Sequence, residues 1–450
     1  MNHKDSKGGR KVKKIIVWLL AAAAAGSLAA CAGQEGGAQQ NAAAEAKGKA
    51  EADDGESVSI WCWDETFNIP AAEAAADIYR EKAPDFQVEI TNLSFDDIVT
   101  RLTTAAAGGQ EDTFPDIMLM SDTNIKKFVT LYPEYFADLT ESGIDFSQFA
   151  DYKVEAGTVN GRVYGVPFDN GASIAVYRTD LLEKAGLTVE ELADLTWDEY
   201  IEKAAPVVEK TGLPMLITAD NNQLINCMLQ SSGYWYFEED GTLNLKNNEG
   251  LRAVFETYKK LMDTGILQIR ADMESYYSSF FDGSAVGMMN ACWIMNTLKK
   301  DESLSGKWAI ANMPRFSDIE GASNSGNTGG SSWIVMNTEN KELAIDYLNH
   351  TFAGSPELYN ELLKEISAVA TYLPAKDQPN YQESQPFYGG QPVFKMILEY
   401  SDTVPRVNYG IYTAEAADAV KTALTEYRTG AADLDAALEQ AEQNVSFLMQ

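Results

Sequence analysis

An α/β fold in two lobes is what this sequence predicts, and three observations predict it. From Ser57 onward, strand-like and helix-like runs alternate, the pattern of βαβ units and a mainly parallel sheet. The 450 residues, 45% of them hydrophobic, suffice for two or three domain-sized units with cores of their own. Two breaks, at Pro167–Gly171 and in the Gly/Ser/Asn stretch IEGASNSGNTGGSS, read as passages from one lobe to the other.

The elements follow in order. SVSIWCW is a strand ending at Asp64, and IPAAEAAADIYREKAP is a helix stopped by Pro84. FQVEITNL is a second strand, FDDIVTRLTTAAAGG a helix closed by its glycine pair, and PDIMLMSD a third strand. After the first break comes the strand SIAVYRT. The helix TWDEYIEKAAPVVEKTG follows, with Thr196 and Glu199 spaced as a capping box. AVGMMNACW, KWAIANMPR and SSWIVMN are strand-like, and the tail is two helices divided by Gly430. In open α/β sheets ligands sit beyond the carboxyl ends of the strands. Trp63-Asp64 and Ser121-Asp122 are both at such ends and should face one crevice. Trp61 and Trp63 are expected on opposite sides of their strand, with Trp63 facing that crevice.

The first 30 residues read as an export signal. Six Lys/Arg and one acid precede the apolar run Ile15–Ala25, which is too short to span a membrane and is followed by a small-residue cleavage site. Leu28-Ala29-Ala30-Cys31 resembles a bacterial lipobox, which makes Cys31 the lipidated first residue of an exported, membrane-tethered chain. Residues 31–55, with no aromatic or β-branched residue, form a flexible spacer.

Composition narrows the chemistry. The net charge of −32 falls to about −37 after cleavage, with 29 Lys+Arg against 66 Asp+Glu, and argues against a nucleic-acid partner. Only His350 would remain, at the end of an amphipathic helix, so zinc sites built on several histidines are excluded. Cys62, Cys227 and Cys292 have no metal-ligand spacing and read as buried small hydrophobes, with one disulfide as the alternative. No metal site and no cofactor is expected.

In this order the segments resemble the bacterial ABC-transporter solute-binding lipoproteins of the sugar-binding, maltose-binding-protein-like class. The likeness rests on the lipobox, PDIMLMSD, VNGRVYGVPFDNGASIAVYRTDLLEKAGL with TWDEYIEKA, FDGSAVGMMNACWIMNTL, GGSSWIVMNTENKELAIDYLNHTFAGSPE and ALTEYRTGAADLDAALEQA. It implies the two-lobed periplasmic-binding-protein fold, type II-like, with three crossings. The N-terminal lobe would hold 57–168 and 325–370, and the C-terminal lobe 172–322 and 374–450. It also implies a monomer that captures an oligosaccharide by lobe closure and delivers it to membrane permease subunits. The opening WCWDETFNIPAAEAAADIY is similar to that of proteins taking up arabino- or xylo-oligosaccharides.

A sugar offers an apolar C–H face to aromatic rings and hydroxyls to carboxylates and amides. The strand ends and crossings supply Trp63, Asp64, Asp122, Asp169, Asn170, Trp235, Trp333 and Tyr409, with Arg406 beside the last. Trp293, in NACWIM, stands where the resemblance implies a sugar-stacking tryptophan. Two other readings remain: a polyamine carrier using Asp64, Asp122 and Asp169 as counter-charges, and a glycoside hydrolase with two carboxyls facing one bond.

Overall fold

The computed structural model describes residues 56–450. The export signal, Cys31 and the spacer lie outside the described residues. Strands β1 (Ser57–Cys62), β2 (Gln87–Asn92) and β3 (Ile117–Ser121) are joined by α1 (Asn68–Arg80) and α2 (Phe95–Gly108). The second helix starts on Ser94, whose side chain accepts from Asp97 N, and ends on Gly109 at φ 63°, a left-handed turn that glycine makes without strain. Helices α3 (Asp122–Leu131) and α4 (Asp151–Ala156) follow. The hairpin β4 (Thr158–Val159) and β5 (Arg162–Val163) then leads into β6 (Gly165–Pro167).

The second sheet is built from β7 (Ser173–Arg178), β8 (Leu216–Ala219), β9 (Leu267–Arg270), β10 (Gly287–Ala291) and β11 (Trp308–Ala311). Between them run α5 (Thr179–Ala185), α6 (Trp197–Thr211), α7 (Gln223–Ser231), α8 (Glu249–Asp263), α9 (Met273–Phe281) and α10 (Ile294–Leu298). The capping box at Thr196 and Glu199 opens α6, as expected from the sequence. The chain then returns to the first sheet as β12 (Ser331–Val335), followed by α11 (Lys341–His350) and α12 (Pro356–Ile366). It ends in α13 (Pro379–Gln382), α14 (Val393–Ser401), α15 (Thr413–Thr429) and α16 (Leu434–Leu448).

The two large sheets have five strands each, ordered β2-β1-β3-β12-β6 and β11-β7-β10-β8-β9, and β4-β5 stands apart as a two-stranded sheet. The expected parallel pairing holds for β2, β1 and β3 and for β10, β8 and β9. The strands beside the crossings pair antiparallel, β12 with β3 and β6, and β7 with β10 and β11. A strand entering from the other sheet arrives without a crossover helix to reverse it, so it runs against its neighbour.

The passages between the sheets lie side by side. Asp169 pairs with Ala370 and Ala172 with Asn327, each antiparallel. Gly171 has no room for a side chain, since a Cβ there would stand 2.4 Å from Asn327 Oδ1. One apolar core runs through these passages, joining α1, α11 and α12 under the first sheet to α9, α10 and α14 under the second. A separate core fills the other face of the second sheet beneath α5–α8, α15 and α16.

Candidate functional site

The carboxyl ends of the parallel strands carry the open candidates. Trp63 follows β1 and is half-buried, its ring edge-on to Phe95 at 5.4 Å. Trp61 and Trp63 do not point to opposite sides. Residues two apart on a strand share a face, and both rings belong to one cluster, with Trp63 the more open because it lies past the last paired residue. Asp64 is exposed at φ 68°, and its carboxylate accepts from Thr66 N and Oγ1 at 2.9 and 2.7 Å. In the second sheet Trp293 follows β10 and is likewise half-buried.

The candidates near the crossings have partners inside the protein. Asp122 is fully enclosed: Lys153 Nζ lies 2.5 Å from Oδ2, and Ser332 Oγ donates to Oδ1 at 2.8 Å. Burial pushes the Asp122 carboxyl above the ordinary range, and the Lys153 ammonium opposes the rise. Gly330 makes room for this pair, since a Cβ there would stand 2.8 Å from both charged atoms. Asp169 accepts from Ser331 N and Oγ, both at 2.6 Å. Asn170 spans two passages, donating to Ala370 O and Ser401 Oγ at 3.0 and 2.9 Å and accepting from Ala172 N at 2.7 Å. These three residues are brought together beside the chain passages, each held by partners within the protein.

Three aromatic candidates are enclosed as well. Trp333 is 0% exposed, with Phe168 and Phe352 at 5.3 and 5.1 Å, and serves the core instead of a cleft platform. Trp235 donates from Nε1 to Thr413 Oγ1 at 2.7 Å and meets Tyr409 edge-on at 5.0 Å. The Tyr409 hydroxyl accepts from Asn327 Nδ2 and donates to Gln230 Oε1 at 3.2 and 3.1 Å. Arg406 is exposed, beside Tyr234 and Glu238 in a shallow surface hollow.

Several polar residues at the strand ends escaped the sequence reading. Glu65 accepts from Asn92 Nδ2 at 2.9 Å, linking the ends of β1 and β2. After β8 come Asn221, Asn222 and Gln223, and Asn222 Oδ1 is buried without a hydrogen-bond partner. The polar run ADNNQ directly after an apolar strand was the available signal. Lys153 had none, since in DYKVEA it reads as a surface helix residue.

The three cysteines are free and buried, with the Cys62 and Cys227 thiols pushed up to about 12 by burial. No group of three or more His, Cys, Asp or Glu among the described residues could hold a metal. His350 ends α11 and packs edge-on to Tyr79 at 5.8 Å. None of the described helices is long and apolar enough to cross a membrane.

Two α/β sheets joined by paired chain passages, with open tryptophans at the strand ends of both, define a two-lobed binding protein. The chain belongs to the bacterial extracellular solute-binding protein family, whose profile matches residues 74–385. It is 40% identical over 365 residues to a lactose-binding protein of Rhizobium radiobacter, covering 81% of this chain and 86% of that one. An arabinooligosaccharide-binding protein of Halalkalibacterium halodurans is 26% identical over 402 residues, 85% and 87% of the two chains. Among solved structures, the sugar-binding protein MalE of Xanthomonas citri matches with a TM-score of 0.72 at 18% identity, over 87% of this chain and 97% of that one. The galacto-N-biose/lacto-N-biose I-binding protein of Bifidobacterium longum, solved with lacto-N-biose, matches at 0.68 and 20% identity, over 88% and 97%. The last two show a shared fold.

Proposed function

We propose that the protein captures an oligosaccharide between its lobes and hands it, unaltered, to the permease of an ABC importer. The observation that carries this reading is the half-open tryptophan at the strand ends of both sheets, Trp63 after β1 and Trp293 after β10. A ring on each lobe can stack on one sugar face, and the ligand then stabilises closure through contacts made to both lobes at once. Asp64, Glu65, Asn92 and Gln223, at the same strand ends, supply hydroxyl partners. Micromolar affinity needs about −8 kcal/mol, within reach of two stacked rings and several hydrogen bonds to charged groups.

The lobes are taken as 57–168 with 325–370 and 172–322 with 374–450, a division that sheet membership supports. The export signal and Cys31 would tether the carrier as a monomer to the outer face of the cytoplasmic membrane. The relatives favour a lactose-like disaccharide or an arabino-oligosaccharide, and the likeness of the opening segment adds xylo-oligosaccharides. A polyamine carrier is disfavoured, because Asp122 already holds Lys153 and Asp169 already holds Ser331.

Thermal unfolding of the mature chain against lactose, lacto-N-biose, arabino- and xylo-oligosaccharides, maltodextrins and spermidine tests the reading. A ligand at about a thousandfold its dissociation constant adds about 4 kcal/mol and raises the midpoint visibly. The expected result is a shift with one sugar group, lost in Trp293→Ala. A shift with spermidine alone would overturn it.

A further inference from the structure

The covalent passages between the lobes persist through any lobe movement. Two neighbouring lysines on α3 make ties outside those passages. Lys127 Nζ lies 2.9 Å from Glu415 Oε1, in the first turn of α15. Lys126 Nζ lies 3.0 Å from both Glu155 Oε1 of α4 and Asn408 Oδ1. Helix α3 begins where β3 ends, at the enclosed Asp122, and runs outward from there.

Helix α15 belongs to the second sheet's helical layer and shares its core. Its early turns cover the carboxyl end of β8: Asn222 Nδ2 donates to Ala417 O at 3.1 Å and Lys421 Nζ to Asp220 O at 2.7 Å. Glu415 therefore stands near the carboxyl end of β8, and Lys127 in the second turn of the helix that follows β3.

We propose that Lys127 and Glu415 form a closing latch, a charge pair made only when the lobes approach, so that Lys127 is a positioning residue for ligand capture and not a ligand contact. The proposal rests on the two-lobed capture reading. The two side chains are 31% and 30% exposed, so water screens their attraction. A pair of this kind shifts the closing equilibrium by roughly five-fold at most.

The latch is asymmetric. Glu415 Oε2 is buried with no hydrogen-bond partner. Removing Lys127 leaves that carboxylate with water on Oε1 and nothing on Oε2, and opening the lobes relieves it by hydration. Removing Glu415 frees a flexible lysine that can reach water. Loss of Lys127 therefore opens the protein more than loss of Glu415.

The test uses the full mature chain with nitroxides at two exposed positions, Thr100→Cys on α2 and Glu256→Cys on α8, and pulsed dipolar distances without sugar. Cys62, Cys227 and Cys292 are buried, and Cys31→Ser leaves only the two introduced thiols to be labelled. Lys127→Met should move the distribution to longer distances. Raising NaCl from about 50 to about 500 mM should do the same in the parent and add nothing in the variant. The reversed pair, Lys127→Glu with Glu415→Lys, should restore the parent distribution, which a merely structural role would not predict. Where lactose binds, its dissociation constant should rise roughly two- to five-fold in Lys127→Met. Superimposable distributions for parent and Lys127→Met, or no recovery on charge reversal, would overturn the latch. Distributions that respond as stated while lactose and every other sugar fail to bind sustain the latch and overturn the sugar reading alone.

Discussion

The strand ends and the crossings of this protein use the same residue types to opposite ends. At the strand ends Trp63, Asp64 and Trp293 are open or half-open, and the Asp64 carboxylate holds only its own turn. At the crossings Asp122, Asp169, Asn170 and Trp333 are matched to Lys153, Ser331, Ser401 and Phe352. An acid or an indole becomes a ligand contact only where the protein leaves it unmatched. At the crossings the acids and Asn170 are paired, because a buried unpaired charge or amide costs more than a made bond returns, while the indole N–H of Trp333 is enclosed by packing alone.

The sharpest way to break this contrast is at the buried ion pair. Lys153→Met leaves Asp122 enclosed without its counter-charge, and should destabilise the fold by about 3–5 kcal/mol in denaturant unfolding. Asp122→Leu combined with Lys153→Met should recover most of that, and a loss below about 1 kcal/mol in the single variant would place the pair outside the core of the crossings.

Next comes the pair of tryptophans from the two regions. Trp333→Ala should cost about 3–5 kcal/mol of stability through the cavity it leaves. Trp293→Ala and Trp63→Ala should cost far less stability and weaken sugar binding by about ten-fold or more, read by calorimetric titration. Equal stability losses for Trp293 and Trp333 would erase the distinction.

Asp64 offers a finer comparison, because its backbone is left-handed at φ 68°. Asp64→Gly should leave stability unchanged or slightly raised while weakening binding. Asp64→Ala should weaken binding equally and destabilise by about 1 kcal/mol. The smallest effect belongs to Arg406, exposed in its surface hollow: Arg406→Ala should stay within about 0.5 kcal/mol in unfolding and leave affinity unchanged.

Much of the fold was legible in local sequence signals. The capping box at Thr196, the left-handed ends at Gly109, Gly212 and Gly430, and the apolar runs of β3 and β10 each set an element within one or two residues. The strand-end position of Trp63, Asp64 and Trp293 was legible for the same reason, since it follows from where an apolar run stops. The direction of the strands beside the crossings was not legible, because it depends on which sheet the chain has just left.

By itself the sequence determined many of the elements, their order and which residues end β1, β3 and β10, since these arise within a few residues along the chain, while short strands such as β8 and β9 carry too few apolar residues to stand out. Only the tertiary structure decided which acids and indoles are free to meet a ligand. Lys153 reaches Asp122 across 31 residues and Ser332 reaches it across 210. Whether a polar side chain is satisfied depends on partners brought within about 3 Å by packing, and a linear pattern carries no record of those distances.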